Sequence, residues 1–592
     1  MCSILGYFNT SLSIDEVKSY NKKMSHRGPD ASITKEYKFK DKNLYLSHNR
    51  LAIQDLDTKA NQPMENNRFV IVFNGEIYNH FEIREELDYD NFQTHSDTET
   101  LLWSFTEFGI EKTINKLNGM FSIGVFDKKN QKLFLIRDRI GIKPLYWTFQ
   151  NNEFIFSSEL KGIRDDIKIN DFDSLVKFVS FGYIFNDKSY YKNIYKLKPA
   201  HYLIFDGSNI EIKKYWDLPK EKLNINYNEA VEKVESLLKD SIKKRLLSDL
   251  EVGTFLSGGI DSSLVSAIMS KVSNKQIKTF TIGFNEKGYN EAEFAKEIAK
   301  KIDSNHFEYY FGVNDVLNLI ENIDYYYDEP FGDASSLPTM LLSQFTKSQV
   351  TVSLSGDGGD ELFLGYDRYE FTQNYYNKIS KLPMRNIISW FCKSINHDKC
   401  NKMSYVIKNL SKENLYAILY SDLKPWELKS TFNKDIIYNN LKELLDYDQE
   451  LNIVEDFSRL DFYRYLPDDI LVKVDRASMA YSLEARVPIL DYRLVELAYS
   501  LPENIKLKHG PKSILKDILS KYIDRNIFDR PKKGFGVPLK IWFRNELKDI
   551  LYEKILSLDE NIFNKKELLK KFEMHQKGAN YEYLFWNLMR IK

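Results

Sequence analysis

Cysteine is scarce in this 592-residue sequence, and its scarcity excludes a secreted scaffold held together by disulfides. Only Cys2, Cys392 and Cys400 are present, too few for a disulfide framework in so long a chain. A secretory or transit signal is also missing from the start, where the first basic residue is Lys18 and the acidic Asp15 precedes it. We therefore expect a reducing, cytoplasmic location.

A net charge and long apolar runs are lacking as well. Lys and Arg number 84 against 85 Asp and Glu, which gives a formal charge of −1, whereas a nucleic-acid partner normally requires a basic face. The longest apolar runs, such as 69–73, are far shorter than the roughly 20 residues that span a bilayer. We expect no nucleic-acid partner and no membrane partner. The 43% of hydrophobic residues instead predicts a folded protein of two or more domains.

The first two hundred residues have the pattern of short strands. Helical periodicity is confined there to 96–108 and 174–179. Turn residues stand at Asn74-Gly75 and Asp206-Gly207. Short apolar or alternating runs predict strands at 43–53, 68–73, 120–127, 132–136, 153–157 and 200–205.

Beyond an amphipathic helix predicted at 227–247, strands alternate with helices. This alternation predicts a parallel sheet covered on both faces. We place the domains at 2–210 and 227–592, with a linker at 211–226. The stretch 366–468 is helical and aromatic, and little chemistry can be read from it, although we expect the acceptor pocket to draw on the region after Tyr366. The predicted strands are 251–256, 278–284, 306–311 and 350–354, and the helices between them are 262–270 and 291–302.

Cys2 follows the initiator Met1, whose removal would leave a thiol and an α-amine on one residue. An α-amine titrates at about 7.7–8.0, so part of it is unprotonated at neutral pH and can take the thiol proton. A Met-Cys start alone is usually accidental, and the residues that follow it must decide.

Five stretches follow Cys2 in a fixed order. Alone, an Asn-Gly pair usually marks a turn, and an Arg-Asp-Arg run is usually a solvated cluster. Together, after an N-terminal Cys, they resemble the class II glutamine amidotransferases, which have the N-terminal-nucleophile αββα sandwich. The stretches are HRGPD at 26–30, SHNRLAI at 47–53, FNGEIYNH at 73–80, SDTE at 96–99 and RDRIGIKPLY at 137–146.

That resemblance implies a glutamine site with Cys2 as the nucleophile. Arg50 would bind the substrate carboxylate with its planar fork, and Glu76 and Asp97 would hold the ammonium end. Asn74 and Gly75 would form an oxyanion hole, a device worth about 3–4 kcal/mol per donor. The implied glutamine-binding set is Arg50, Ile53, Asn74, Gly75, Glu76 and Asp97.

A second motif, TFLSGGIDSS at 254–263, lies between a predicted strand and a predicted helix. Glycines, hydroxyls and a helix N-terminus suit an anion, and the lysine of a Walker A loop is missing. The motif resembles the pyrophosphate loop of ATP-pyrophosphatases, which cleave between the α and β phosphates and adenylate a substrate. An ordinary turn is the other interpretation of a Gly-Gly beside serines.

An acid-rich loop, LSGDGGDE at 354–361, follows another predicted strand, and its spacing does not fit an EF-hand. The resemblance implies that Asp261 and Asp360 hold Mg²⁺ on the phosphates, as hard carboxylates suit. Lys512 would steady the charge that develops during adenylation and counts with Cys2, Asn74 and Gly75 as catalytic. The implied ATP-binding set is Phe255, Ser257, Gly258, Gly259, Asp261, Ser262, Ile282, Ser355, Gly356 and Asp357.

In both halves and in order, with further stretches at 328–336, 471–488 and 510–538, the chain resembles glutamine-hydrolysing asparagine synthetases of the bacterial type. The resemblance implies ATP, Mg²⁺, glutamine and aspartate as cofactors and substrates, ammonia transfer between two sites with 137–146 near their interface, and, by analogy, a homodimer. The fold implied is the αββα sandwich followed by a parallel-sheet α/β ATP-pyrophosphatase domain with a helical C-terminal part.

Three alternatives remain open. The acceptor could be another carboxylate, such as a uronic acid of a surface polysaccharide, because the motifs read only glutamine and ATP. The β-lactam synthetase type normally lacks the N-terminal Cys, so Cys2 argues against it. A non-catalytic binding protein that kept the fold is the third. Six residues present together argue against it: Cys2, Arg50, Asn74, Asp97, Asp261 and Asp360.

Overall fold

The structure is a computed structural model, and it describes residues 2–284, 292–395, 398–433, 452–530 and 536–591. The N-terminal unit contains two six-stranded antiparallel sheets, ordered β10-β8-β9-β1-β3-β2 and β12-β11-β7-β6-β5-β4. Their strands are β1 Ser3–Phe8, β2 Ala31–Phe39, β3 Lys42–Arg50, β4 Met64–Glu65, β5 Phe69–Ile77, β6 Gly119–Asp127, β7 Lys132–Arg137, β8 Tyr146–Gln150, β9 Glu153–Ser157, β10 Tyr195–Lys196, β11 His201–Phe205 and β12 Ile210–Lys214.

These two sheets pack face to face, and helices cover their outer faces. Alternate residues of β5, such as Val70 and Val72, meet Phe156 and Phe205 in the core between the sheets, as the two-residue period of a strand requires. The helices Ile14–Lys22 and Asp97–Glu107 pack on the two outsides. The predicted αββα arrangement is confirmed.

The prediction of a turn at Asn74-Gly75 is wrong, because both residues lie inside β5. Gly75 pairs with Phe121 of β6, and a Cβ there would stand 2.0 Å from the carbonyl oxygen of Met120. Glycine is needed here for this close approach and not for a turn. The turn predicted at Asp206-Gly207 does connect β11 to β12.

The boundary region belongs partly to the first unit. Strand β12 pairs with β11 as far as Lys214 opposite His201, so residues 211–214 continue the sheet and are not a linker. The helix Phe172–Phe181 lies within the predicted 2–210 but packs against the C-terminal helix Glu582–Met589. The division into 2–210, 211–226 and 227–592 as a whole stays a prediction.

The C-terminal unit is built on a five-stranded parallel sheet, ordered β15-β14-β13-β16-β17. The chain proceeds outward from β13 first to one side and then to the other, so the order reverses between β13 and β16. Ligands of open α/β sheets bind in the crevice at this reversal, outside the carboxyl ends of the strands. The strands are β13 Val252–Phe255, β14 Lys278–Phe284, β15 Asn305–Phe311, β16 Val352–Leu354 and β17 Glu484–Arg486.

Helices flank this sheet and form the rest of the unit. One of them passes through a π-helical stretch, Asp461–Ile470, that contains Pro467; such stretches often occur at functional sites. No helix among the described residues is long and apolar enough to cross a bilayer. The longer helices are Tyr227–Arg245, Ile260–Val272, Ala292–Lys301, Val313–Ile320, Ser336–Lys347, Asp367–Ser380, Arg385–Ser394, Asp398–Lys408, Lys412–Tyr420, Ile453–Leu460, Leu471–Met479, Tyr492–Ser500, Lys548–Ser557, Lys565–Gln576 and Glu582–Met589.

Candidate active sites

Cys2 lies at the start of β1 and is 8% exposed. Its backbone nitrogen donates to Asn74 Oδ1 at 3.1 Å, and its carbonyl accepts from Arg27 Nε at 3.0 Å. Burial raises the pKa of the thiol above its ordinary value, so a base must take its proton at neutral pH. Met1 lies outside the described residues, so its removal stays a prediction. Removal would make the Cys2 nitrogen beside Asn74 an α-amine that can serve as that base.

The predicted oxyanion residues lie directly beside Cys2. Asn74 Nδ2 donates to Ser122 Oγ at 3.4 Å, and Asn74 is fully buried. Gly75 lines the same small cavity as Cys2. Side-chain and backbone N–H groups held rigidly by a sheet are what an oxyanion hole requires, since the donors need not move when charge develops.

Arg50 is the last residue of β3 and lines the same cavity. Its Nη1 donates to the carbonyl of Asp57 and to Asn61 Oδ1, both at 2.8 Å, and its Nη2 donates to the carbonyl of Asp55. A guanidinium has five N–H donors, so these contacts hold the loop 55–61 and still leave donors to meet a carboxylate.

Two carboxylates, Glu76 and Asp97, also line this cavity. Asp97 accepts from the backbone N–H of Ile77 at 2.9 Å, and burial raises its pKa to about 6. Burial, and then the charge of Glu484, raises the pKa of Glu76 well above its ordinary range. Gln54 Nε2 donates to Glu76. An ammonium group between these carboxylates would favour their ionised forms.

Five residues of the predicted glutamine-binding set line one cavity together with Cys2, and the sixth, Asn74, contacts the Cys2 backbone nitrogen beside it. The five are Arg50, Ile53, Gly75, Glu76 and Asp97. The cavity has a volume of only about 30 Å³, close to the share of a single water molecule in the liquid. A glutamine molecule does not fit a cavity of this volume.

The second predicted site lies at the carboxyl ends of β13 and β16. Residues 256–259 connect β13 to the helix Ile260–Val272, and Gly258 has a φ of +76°, a conformation that favours glycine. Ser262 Oγ lies 2.9 Å from Ser257 Oγ and accepts from the Ser257 N–H at 3.2 Å. The loop is thus preformed, with backbone N–H groups at a helix N-terminus as an anion requires.

The acid-rich loop packs against this phosphate loop through its glycines. A Cβ on Gly356 would stand 2.6 Å from the backbone nitrogen of Ser262, and one on Gly359 would stand 2.4 Å from Asp261 Oδ1. Only glycine permits this approach. All ten residues of the predicted ATP-binding set line one open cavity of about 1070 Å³.

Lys512 joins the two loops. Its Nζ contacts the carboxylate of Asp261 and lies 2.7 Å from Asp360 Oδ1. Burial alone would lower the pKa of Lys512, but these two carboxylates raise it above its ordinary value. Among the described residues no three acidic, His or Cys side chains are grouped to hold a metal. Asp261 and Asp360 fit Mg²⁺ only together with phosphate oxygens, which is its usual mode of binding.

Arg486 on β17 connects the two cavities, a role that no sequence pattern indicated. Its Nη2 lies 3.5 Å from Glu76 Oε2, and its Nε lies 2.6 Å from Glu484 Oε1. Its backbone carbonyl accepts from the N–H of Ser355 in the acid-rich loop at 2.8 Å. One residue therefore touches the glutamine pocket with its side chain and the nucleotide loop with its backbone.

A second buried link is formed by Arg27 and Asp475. Arg27 donates to both carboxylate oxygens of Asp475, at 2.8 and 3.1 Å, and to Glu159 at 2.9 Å. Lys143 Nζ lies 3.2 Å from Asp475, which places the predicted interface stretch 137–146 against the C-terminal unit. Burial would raise the pKa of Asp475, but Arg27 and Lys143 lower it to about 2.

The stretch 366–468, from which little chemistry could be read, contributes residues to the large cavity. Arg368 lies over the rings of Tyr366 and Tyr420, at 3.9 and 4.0 Å, and its Nη2 is 3.0 Å from Asp461. Tyr366, Arg368 and Tyr420 face the cavity. Sequence reasoning missed them because their spacing follows an irregular helical path and matches no motif.

Comparison with known proteins agrees with this geometry. A glutamine amidotransferase domain model matches residues 1–216, and an asparagine synthase model matches residues 233–592. A putative asparagine synthetase [glutamine-hydrolyzing] 2 of Methanocaldococcus jannaschii is 36% identical, covering 81% of this chain and 98% of its own length.

Two further relatives cover most of the chain. Asparagine synthetase [glutamine-hydrolyzing] 1 of Bacillus subtilis is 30% identical over 93% of this chain and 89% of its own length. A Penicillium rubens protein named amidase chyE is 26% identical over 89% of this chain and 85% of its own length. The family match spans more than half of the residues, so the chain belongs to the asparagine synthase family, as an enzyme of the glutamine-hydrolysing asparagine synthetase type.

Proposed function

We propose that this enzyme hydrolyses glutamine at Cys2, adenylates aspartate with ATP at the carboxyl edge of the parallel sheet, and joins the released ammonia to the adenylate. The products are asparagine, glutamate, AMP and pyrophosphate. The observation that carries this proposal is the position of Arg486, whose side chain contacts Glu76 and whose backbone contacts Ser355. Two cavities tied by one buried strand suit two half-reactions that share an intermediate.

In the first half-reaction, the unprotonated α-amine of Cys2 would take the thiol proton, and the thiolate would attack the side-chain amide of glutamine. The buried thiol with its raised pKa makes an adjacent base necessary. The Asn74 amide and the Gly75 N–H would receive the oxyanion, and Arg50 and Asp97 would fix the two ends of the substrate. Water would then release glutamate from the thioester.

In the second half-reaction, the N–H groups of the loop 256–259 would cradle the phosphates, and Phe255 and Ile282 would frame the adenosine. Mg²⁺, when bound by Asp261 and Asp360, would neutralise phosphate charge. Lys512 lies between these two carboxylates and would move onto the phosphate oxygens as negative charge develops there.

Ammonia must reach the adenylate without becoming ammonium, because a protonated nitrogen has no lone pair for attack. One buried apolar cluster is shared by both units and includes the side chains of Met120, Ile142, Leu264 and Val487. A dry apolar route between the sites is thus the arrangement that the proposed transfer requires.

The identity of the acceptor is the feature of the proposed reaction for which there is a second candidate. The large cavity has a volume of about 1070 Å³, at the upper end of the roughly 300–1,000 Å³ range of ligand pockets, so it leaves room for an acceptor bigger than aspartate. Lys473 and Asp333 form an ion pair of 3.0 Å in its wall, and the aromatic rings of Tyr366 and Tyr420 would suit a sugar. A uronic acid is therefore the alternative acceptor.

The deciding experiment measures AMP release with amide-labelled glutamine over a panel of aspartate, other amino acids and uronic acid sugars. We expect AMP release with aspartate and transfer of the label into asparagine. Release with a sugar acid but not with aspartate would replace the acceptor. AMP release without label transfer for any acceptor would contradict the coupled reaction itself.

A further inference from the structure

Two neighbouring helices, Arg385–Ser394 and Asp398–Lys408, meet through polar atoms. Ser389 Oγ donates to the carbonyl of Ser404 at 2.9 Å, and Ser404 Oγ donates to the carbonyl of Ser389 at 2.8 Å. Ser389 and Ser404 are both buried, at 3 and 6% exposure. This contact shows that the side of the first helix that carries Ser389, a small polar residue, faces the second helix.

The side of the helix opposite Ser389 is apolar and exposed. At about 100° per residue, Ile387, Phe391 and Ile395 lie on a common face, together with Met384 just before the helix and Trp390 at its margin. A helix normally turns its apolar face toward the core, so this one is reversed. The exposed fractions of Met384, Ile387, Trp390, Phe391 and Ile395 are 71, 52, 64, 62 and 56%.

Every charged residue between 378 and 395 is basic. These residues are Lys378, Lys381, Arg385 and Lys393, and all four are exposed. The whole chain has a formal charge of −1, so this concentration of one sign is local. At about 100° per residue, Arg385 and Lys393 lie on the same side of the helix as Ser389, the polar side. Single exposed apolar side chains are ordinary on a protein surface, but an exposed apolar helix face backed by charges of one sign marks an interaction site.

We propose that this face, residues 378–395, docks the protein onto an anionic lipid membrane. The apolar side chains, with Trp390 and Phe391 among them, would enter the boundary between headgroups and acyl chains. The four basic residues would meet the anionic headgroups. Amphipathic helices with an aromatic apolar face and Lys or Arg on the polar side bind membranes in this way. The proposal is independent of the acceptor and of the reaction.

Two other partners fit the face less well. A second copy of the chain would bring the basic residues of the two segments close to each other, and like charges repel. A nucleic acid would neutralise the cations but would give the row of Met384, Ile387 and Ile395 no apolar surface. The expectation of no membrane partner was drawn from the lack of a spanning run, and a helix that lies in the interface needs none.

The test is flotation of the full-length protein with vesicles of phosphatidylcholine alone and of phosphatidylcholine mixed with phosphatidylglycerol. We expect the protein to float only with the anionic vesicles and to be released by salt. The double variant Trp390→Ala/Phe391→Ala should lower partitioning at least about tenfold, since each buried aromatic ring contributes to transfer. Lys381→Gln and Lys393→Gln should each lower it about fivefold.

The control is Ile550→Ala, which removes an apolar side chain of 50% exposure from the distant helix Lys548–Ser557, and its partitioning should equal that of the wild type. Glutamine hydrolysis by each variant reports that the fold is intact. Equal flotation of the wild type and the Trp390→Ala/Phe391→Ala variant overturns the proposal. So does flotation with neither vesicle, or a binding of RNA or of a second copy that the same variant abolishes.

Discussion

The two cavities of this enzyme differ in volume by more than an order of magnitude, about 30 Å³ around Cys2 and about 1070 Å³ at the edge of the parallel sheet. The small one is formed by strand residues and by the loop that Arg50 holds. The large one is formed by loops after parallel strands and by helices. The proposed reaction fits the contrast, because the first site would bind glutamine alone, whereas the second would admit ATP and an acceptor together.

The largest expected effect separates the two cavities completely. Cys2→Ala removes the thiol that would form the thioester, so glutamine hydrolysis should fall by at least about 10⁴-fold. Synthesis from added ammonium, measured as AMP release, should remain near the wild-type rate. Loss of both activities in a folded variant would show that the cavities are not separate half-sites.

The converse change is Asp261→Asn. It removes a charge that contacts Lys512 and that would hold Mg²⁺, so ATP–pyrophosphate exchange should fall at least about 100-fold. Glutamine hydrolysis without ATP should be unchanged. A parallel loss of hydrolysis would mean that the cavity at Cys2 depends on the nucleotide loop.

A matched pair of glycine variants sharpens the role of the loop contact. In Gly356→Ala the new Cβ would stand 2.6 Å from the backbone nitrogen of Ser262, whereas in Gly259→Ala the nearest atom is Ser257 Oγ at 3.3 Å. The first should raise the dissociation constant of ATP at least about tenfold by separating the loops, and the second by less than about threefold. Equal effects would argue against the packing of the two loops.

The smallest expected effect is a pH dependence of glutamine hydrolysis, which involves the small cavity alone. The substrate ammonium requires the ionised form of Asp97, and burial raises the pKa of this carboxyl to about 6. Deprotonation is complete above that pKa and is lost as the pH falls through it. The kcat/KM for glutamine should therefore drop about tenfold per pH unit below about 6.

Two comparisons check the origin of this pH dependence. In Asp97→Asn the step near pH 6 should be absent and the KM for glutamine should be higher at every pH. The pH profile of ATP–pyrophosphate exchange should be the same in Asp97→Asn as in the wild type. A step that persists in the variant would assign the titration to another group.

The sequence was most informative where the chemistry depends on short contiguous segments. The segments 47–53 and 73–80 came together at one cavity, and the phosphate loop met the acid-rich loop at another, because each segment includes or follows the end of a strand, β3, β5 or β13. Asn74-Gly75 shows the limit of such reasoning. Its dipeptide is typical of turns, but the pairing of β5 with β6 places it inside a strand, where tertiary packing overrides local propensity.

By itself, the sequence determined the kinds of layer and the order of the two units, since strand and helix periods are local properties. Its motifs, through their resemblance to a known family, predicted the two sets of site residues. Only the tertiary structure decided that Arg486 contacts a lining residue of each cavity, that Arg27 meets Asp475 and that Arg368 and tyrosines of 366–468 line the large cavity. These contacts join residues hundreds of positions apart. Their geometry is set by how the sheets and helices pack, and no local pattern encodes it.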